Sequence, residues 1–427
     1  MAHALYNKFL SFILFTLLKP SKLKDIFYMN KSPFKASISH IAEQIQPFHV
    51  MKILGEAKAL EAAGKKIIHM EIGEPDFPSL PCVHEAAMQA AALGLTHYTP
   101  TMGLPALRDK LSHFYQSFYN AEVAPDNIMI TPGSSSALHL VLTAILNPRD
   151  KVLLSDPAYP CNRQFVKLLQ GQLIGVPVGS DTQYQLNTEL LKTHWQPGIK
   201  AVMVASPANP TGTMIEQAEL LSMANFLAEK NCYFIVDEIY QGLVYERPAE
   251  SILAHKNLPD NVIVINSFSK FFGMTGWRLG WCVAPATLMP VLNRLGQNLF
   301  LAAPTPSQYG ALRVLEADAL ADLEQRRQTF ESRRNTLYHS MLDADFRLKT
   351  LPQGAFYLYW DVSDFTDNAD QFCSDLLQAT GVAITPGRDF GDYQANQHVR
   401  LAYTTTQIEL TLAVQKIAEF VKTYQAP

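Results

Sequence analysis

A lysine and an arginine eight residues apart are the side chains most able to do chemistry in this sequence. Lys270 and Arg278 lie in the segment SFSKFFGMTGWR, residues 267–278. The β-branched run at residues 262–265 predicts a buried strand, so Lys270 comes where that strand gives way to a loop. Ligands bind at the carboxyl ends of strands in α/β sheets, which makes Lys270 a candidate for a binding site. The alternative for an isolated loop lysine is an ordinary surface position.

Further motifs before and after Lys270 decide between these alternatives. In chain order, they are IGEPDF (72–77), YTPTMGLPALR (98–108), TPGSSSAL (131–138), DPAYP (156–160), SPANPTG (206–212), VDEIY (236–240), SFSK (267–270) and VRLAY (399–403). With these motifs in this order, the chain from about residue 38 to about residue 403 resembles the class I and II aminotransferases, fold type I enzymes that use pyridoxal 5'-phosphate (PLP). The resemblance implies an α/β fold, with a large domain built on a mainly parallel, seven-stranded type of sheet and a smaller α/β domain.

Length and composition agree with a two-domain globular protein. The chain has 427 residues, more than one hydrophobic core usually supports. Its net charge of −4 provides no basic surplus for nucleic acid. The five cysteines are odd in number, widely spread and without a CxxC pair, so we expect neither a disulfide framework nor a metal site, and a cytoplasmic location fits best.

The N-terminus carries an apolar run at residues 9–18, flanked by Lys8 and Lys19. Ten residues are too few for a membrane-spanning helix, which needs about 20. We therefore expect no integral membrane span. The family resemblance begins only after Met29, which favours a non-native or disordered leader; a signal peptide or a peripheral anchor is the alternative.

Past the leader, apolar strand-like runs alternate with helical stretches, which predicts a mainly parallel sheet with helices on both faces. Helices are predicted at residues 216–230 and, as one long charged helix, at residues 311–342. The predicted strands are 128–131, 151–155, 201–205, 233–236, 262–266 and 281–284. The predicted organisation is a leader (1–37), a segment packing with the small domain (38–75), a large PLP-binding domain (76–305) and a small C-terminal domain (306–427).

By resemblance, Lys270 is the amine that holds PLP as a Schiff base and moves a proton between the substrate Cα and the cofactor C4'. Burial beside a cationic cofactor is expected to lower its pKa. Asp237 is implied to keep the pyridine nitrogen protonated, and Tyr240 and Asn209 to hydrogen-bond the phenolic oxygen. Taken alone, these three residues could instead be a strand-terminal aspartate capping a helix, a core tyrosine and a turn asparagine before Pro210.

The cofactor phosphate needs hydrogen-bond donors and positive charge. Ser134 and Ser135 follow a predicted strand and open a predicted helix, where backbone N–H groups favour an anion. A serine at a helix N-terminus is also common without any ligand. The resemblance implies further phosphate contacts from Ser267, Ser269 and Arg278.

Two aromatic residues complete the implied cofactor site. Tyr159 resembles the aromatic residue that stacks on the cofactor ring, although core packing explains it equally well. Tyr98 resembles the tyrosine that reaches the phosphate bound by the neighbouring subunit. The resemblance therefore implies a homodimer with shared sites.

The substrate contacts are implied in the same way. Arg400 lies in an apolar strand-like context, where an unpaired guanidinium would be costly, and it resembles the arginine that binds the substrate α-carboxylate. Gly73 and Asn209 match residues close to the substrate. At Ser135 some prokaryotic aspartate aminotransferases have a lysine for the distal carboxylate; Arg388 could supply a cation instead, but a surface position suits it as well.

The sequence thus predicts an aminotransferase that moves the amino group of an L-amino acid to a 2-oxo acid, alternating between PLP and pyridoxamine phosphate. A PLP-dependent lyase, decarboxylase or synthase on the same fold is the first alternative, since fold does not determine reaction. A non-catalytic PLP-binding regulator is a remote one. The amino donor and the oxo acid acceptor stay open, because no short motif records them.

Overall fold

The computed structural model describes residues 37–424. The apolar run at residues 9–18 and Met29 lie outside the described residues. A short helix, α1 (His40–Glu43), belongs to an N-terminal unit that ends at Gln44, and everything described below belongs to the unit that begins at Ile45. Across residues 37–424, no helix combines the length and the apolar character needed to cross a bilayer.

A seven-stranded, mainly parallel sheet forms the centre of this unit. The strands are β2 (Ile128–Thr131), β3 (Lys151–Asp156), β4 (Gln172–Pro177), β5 (Ile199–Ala205), β6 (Tyr233–Asp237), β7 (Val262–Ser267) and β8 (Gly280–Val283). Their spatial order is β2-β8-β7-β6-β5-β3-β4, and β8 is the strand that runs opposite to the other six. This sheet confirms the predicted α/β fold.

Both faces of this sheet are covered. Val262 and Val264 of β7 belong to one buried apolar cluster, whereas Ile263 and Ile265 belong to a second cluster on the opposite face. Successive strand residues point to opposite faces, so continuous β-branched runs suit a sheet buried on both sides. The helices are α2 (His49–Ala62), α3 (Pro81–Ala92), α4 (Pro105–Tyr119), α5 (Ser134–Ile145), α6 (Pro160–Leu168), α7 (Thr188–Thr193), α8 (Gln217–Glu229), α9 (Met289–Leu299), α10 (Thr305–Val314), α11 (Ala317–Asp343), α12 (Ala369–Thr380) and α13 (Gln407–Thr423).

Two smaller sheets involve the C-terminal part of the chain. An antiparallel sheet has the order β11-β12-β9, and β1 pairs in parallel with β10, with Ile68 opposite Val382. The segment before residue 75 therefore pairs with the C-terminal region, while the predicted domain boundaries themselves stay a prediction. The bounds are β1 (Ile68–His69), β9 (Tyr357–Asp361), β10 (Val382–Ala383), β11 (Thr385–Pro386) and β12 (His398–Ala402).

The prediction of one helix over residues 311–342 is wrong. The chain forms α10 and α11 there, separated at Leu315 and Glu316. Glu316 is extended, with ψ at 154°, and neither glycine nor proline marks the break. Arg313 Nη1 bonds Asp318 Oδ1 across the junction at 2.7 Å. Because charged residues continue on both sides of the break, the sequence pattern resembled that of one uninterrupted charged helix.

Candidate active site

The carboxyl ends of neighbouring parallel strands bring the predicted residues together. Ala205 at the end of β5 lies opposite Asp237 at the end of β6, and Asp237 lies opposite Ile265 of β7. The loops that follow these strands carry Asn209 and Lys270 into one cavity. Predicted site residues lining this cavity are Gly73, Ser134, Tyr159, Asn209, Asp237, Tyr240, Lys270 and Arg400.

Lys270 extends its amine into the cavity. Its Nζ donates a hydrogen bond to the carbonyl oxygen of Gly73 at 2.6 Å. Burial, together with the charges of Arg400 and Arg278, lowers the pKa of Lys270 to about 8, against the opposing charge of Glu74. The amine is therefore much easier to deprotonate than an exposed lysine, as the sequence predicted.

Asp237 is a buried carboxylate at the end of β6. Its Oδ1 accepts a hydrogen bond from the backbone N–H of Ile239 at 3.1 Å. Burial raises the pKa of Asp237 to about 7, although the Ile239 N–H and the Lys270 charge act in the other direction. No helix of the described chain begins at Asp237, so the helix-capping alternative does not apply.

Arg400 is held in the middle strand of the small antiparallel sheet, with 5% of its surface exposed. Its Nη1 donates to Asn209 Oδ1 at 2.9 Å, and its Nη2 donates to the Glu71 carbonyl oxygen at 2.5 Å. The guanidinium carbon lies 4.3 Å from the centre of the Tyr357 ring. Among the described residues, the buried Nε has no hydrogen-bond partner, so Arg400 keeps a donor free for a ligand.

Tyr357 also lines the cavity. Its hydroxyl bonds the Tyr240 hydroxyl at 2.8 Å. A Cβ atom on Gly73 would overlap with the Tyr357 hydroxyl, so only glycine fits at this position. Phe356, next to Tyr357 in sequence, and Phe268, two residues before Lys270, are fully buried in the core.

A cradle for an anion lies where α5 begins. Gly133 precedes Ser134 with φ at +81°, and a Cβ on Gly133 would come within 2.7 Å of Arg278 Nη2. Arg278 is therefore packed against the N-terminus of α5, where backbone N–H groups and the helix dipole favour negative charge. Ser267 Oγ bonds Ser269 Oγ at 2.9 Å in the neighbouring loop.

These features fit PLP. The cavity offers an amine of lowered pKa for the aldehyde and a buried carboxyl group for the pyridine nitrogen. The glycine cradle beside a guanidinium suits the phosphate. Tyr159 lines the same cavity, where a stacking ring is needed. The chain itself therefore provides a matching group for each end of the cofactor.

Some predicted residues lie elsewhere in this chain. Tyr98 has 82% of its surface exposed and does not line the cavity. Ser135 follows Ser134 in α5 but does not line it either. Arg388 has a 56% exposed side chain and lies 3.5 Å from Asp370, which agrees with a surface position.

Sequence reasoning missed one wall of the cavity. Asp389 lines it, and its carboxylate accepts hydrogen bonds from the backbone N–H groups of His49 at 2.5 Å and Val50 at 2.8 Å. No motif marks these residues, since their contact joins opposite ends of the chain. The other members of this wall are Phe48, Met51, Leu54, Ile72 and Phe390.

Fold and site together define a PLP-dependent enzyme of fold type I. The chain belongs to the family described as aminotransferase class I and II, whose model matches residues 65–417. It is an aminotransferase, which transfers an amino group from an L-amino acid to a 2-oxo acid by way of PLP and pyridoxamine phosphate.

The chain matches individual relatives over nearly the whole length of each relative. The chain is 35% identical over 88% of its residues to (5-formylfuran-3-yl)methyl phosphate transaminase of Methanocaldococcus jannaschii, of which 97% is covered. It is 33% identical to valine–pyruvate aminotransferase of Mycobacterium tuberculosis, with 88% and 96% of the two chains covered.

Solved structures agree with the sequence relatives. An aminotransferase from Mycobacterium tuberculosis superposes with a TM-score of 0.87 at 32% identity, covering 91% of this chain and 100% of that one. A single mutant of Thermus thermophilus aspartate aminotransferase gives 0.84 at 30% identity, with 90% and 99% covered. These names do not favour the lyase, decarboxylase, synthase or regulator alternatives.

Proposed function

We propose that Lys270 binds the PLP aldehyde and carries the proton between the substrate Cα and the cofactor C4'. The observation that supports this most directly is its amine, which reaches into the shared cavity with a pKa of about 8. At neutral pH such an amine can both release and accept a proton. Bound PLP supplies the electron sink that takes up the electron pair of the broken Cα–H bond.

Asp237, Tyr240 and Asn209 orient the cofactor ring in this proposal. A protonated pyridine nitrogen beside Asp237 provides the opposite charge that keeps this carboxylate ionised. Asn209 Oδ1 accepts a hydrogen bond from Arg400 Nη1. The amide NH2 group of Asn209 is therefore left to donate to the phenolic oxygen of the cofactor. The Tyr240 hydroxyl, paired with Tyr357, lies in the same cavity.

The phosphate is bound at the start of α5. Arg278 suits phosphate because its planar guanidinium donates two parallel hydrogen bonds. Tyr159 is the residue proposed to stack on the ring. The remaining proposed phosphate ligands are Ser134, Ser135, Ser267 and Ser269.

The substrate α-carboxylate pairs with Arg400, whose Nε donor is unused within the described protein. Asn209 and Gly73 lie beside it, and the small Gly73 allows the substrate Cα to approach Lys270. This arrangement fixes the amino acid by its carboxylate and leaves its side chain to the other cavity wall.

The chain is proposed to act as a homodimer in the cytoplasm. Tyr98 is exposed here, and its segment is fastened to the start of α10, where Thr305 Oγ1 donates to the His97 carbonyl oxygen at 2.8 Å. Leu299 and Leu301, just before α10, are also large exposed apolar residues. A partner covering this surface would receive Tyr98 at its own site. The five cysteines form no disulfide, which suits a reducing compartment.

The two-domain organisation also remains our proposal, with residues 76–305 as the large domain and residues 306–427 as the small one. The pairing of β1 with β10 supports grouping residues 38–75 with the small domain.

Replacing Lys270 tests the proposed function. Lys270→Ala should remove the borohydride-sensitive visible absorbance of the purified protein and lower transamination by at least about 100-fold, since it removes both the covalent anchor and the proton carrier. Lys192→Ala changes an exposed lysine of α7 and should behave as wild type. A Lys270→Ala protein that keeps the absorbance and the activity would contradict the assignment.

A further inference from the structure

The cavity has two chemically different walls. The cofactor-facing wall carries Asn209, Asp237 and Lys270. Another part of the lining comes from the start of α2, where Val50 and Leu54 lie four residues apart and therefore share one helix face. Phe48 and Met51 continue this apolar wall to the opening, and they are 37% and 59% exposed. Large apolar side chains at the mouth of a cavity favour an apolar ligand group.

The positively charged residues that line the cavity already have partners in the proposed function. Within the described part of the chain, its cationic lining residues are Lys270 and Arg400. Lys270 faces the cofactor and Arg400 faces the α-carboxylate in the proposed function. Asp389 adds a negative charge at the start of α2, where it holds the N–H groups of His49 and Val50.

We infer that the α2 wall, formed by Phe48, Val50, Met51 and Leu54, is the subsite for the substrate side chain and selects amino acids with uncharged, apolar side chains. A distal carboxylate placed there would lose its water, find no cation on this wall and lie near Asp389. Burying an unpaired carboxylate is expensive, whereas a branched or aromatic side chain gains from burial against this wall. The inference rests on the proposed function, because it needs Arg400 to fix the α-carboxylate.

Half-reactions test the inference. The PLP form of the enzyme is mixed with L-leucine, L-phenylalanine, L-aspartate or L-glutamate, and conversion to the pyridoxamine form is followed by absorbance. The apolar amino acids should react with kcat/KM at least about tenfold above the two dicarboxylates. Equal or faster reaction of aspartate or glutamate would overturn the inference. A failure of every amino acid to react would instead contradict the proposed function.

A charge placed in the wall gives a sharper test. Met51→Arg introduces a cation at an exposed position, so folding should be unaffected, and it should shift the ratio of dicarboxylate to apolar kcat/KM at least about tenfold toward the dicarboxylates. Leu54→Arg should do the same from the adjoining turn. Ala59→Arg puts the same charge on the exposed side of α2, outside the cavity, and should leave the ratio unchanged. An unchanged ratio in both wall variants would refute the subsite assignment.

Discussion

Lys270 and Asp237 are a base and an acid whose ionisation is shifted by the same cavity. Removal from water disfavours both charges, so the pKa of the amine falls to about 8 and the pKa of the carboxyl group rises to about 7. Both groups therefore titrate near neutrality. A catalytic group works best when its pKa lies near the working pH, which is where the cavity puts Lys270. Arg400, in the same cavity, is held in place by hydrogen bonds to Asn209 and Glu71.

The shifted lysine predicts how PLP binding depends on pH. Only the neutral amine attacks an aldehyde, and for Lys270 that form grows as pH rises toward about 8 rather than toward the ordinary 10.5. Recombination of the apoenzyme with PLP should therefore speed up about tenfold per pH unit below pH 8 and level off above it. Stopped-flow absorbance measures this rate. A rate still rising steeply between pH 9 and 10 would show that the amine is not shifted.

The carboxyl ends of the parallel strands determine where the candidate active site lies. β5, β6 and β7 are parallel neighbours, so the residues after them meet at one edge of the sheet. Their apolar runs made these strands predictable, with carboxyl ends within one residue of those observed, although β5 begins two residues earlier than predicted, at Ile199. The half-exposed edge strand β4 was missed, because its mixed burial leaves no continuous apolar run.

The α2 wall could not be predicted for another reason. Asp389 and His49 are 340 residues apart in sequence, and only the folded chain brings them together. The same holds for Tyr357, which reads as an ordinary core aromatic until its hydroxyl is seen beside Gly73 and Tyr240. The proposed cofactor residues belong to local motifs, whereas the other residues that line the cavity are collected from distant segments. The sequence could therefore propose cofactor contacts but not a subsite for the substrate side chain.

The geometry of the turn before α5 predicts how a substitution at Gly133 changes PLP affinity. Gly133→Ala puts a side chain at φ +81° and within 2.7 Å of Arg278 Nη2. With ψ at 165°, Gly133 lies in a region of backbone space that essentially only glycine occupies, which costs an alanine about 1–3 kcal/mol, and the guanidinium must shift away from the phosphate cradle. We expect PLP affinity to fall at least about tenfold, equivalent to about 1.4 kcal/mol, as measured by titrating the apoenzyme with PLP.

A matched glycine provides the control for that measurement. A Cβ on Gly276, in the same Lys270-to-Arg278 loop, would have no neighbour within 4 Å, and its φ is not positive. Gly276→Ala should therefore bind PLP as the wild type does. Equal affinity of the two variants would mean that Gly133 and Arg278 do not form the phosphate cradle.

In the proposed homodimer, each active site is completed only when a second chain contributes Tyr98. Tyr98 is 82% exposed, although the residues around it are anchored. Gln308 Nε2 donates to Thr99 Oγ1 at 3.0 Å, and Thr305 fastens His97 from the other side. A rigidly held but uncovered tyrosine suits a residue that serves a second copy of the chain, because holding it in place reduces the entropy lost on association.

Mixed dimers distinguish this arrangement from a site made by one chain. Lys270→Ala and Tyr98→Ala homodimers should both be impaired, the first in proton transfer and the second in PLP affinity. In a heterodimer of the two, one site loses both residues, while the other combines Lys270 of one chain with Tyr98 of its partner and is intact. Mixing denatured chains and refolding them should therefore give more activity than the sum of the two parent homodimers, at PLP concentrations that saturate only the wild type. If Tyr98 acted within its own chain, every site would keep a defect and the mixture would show no gain.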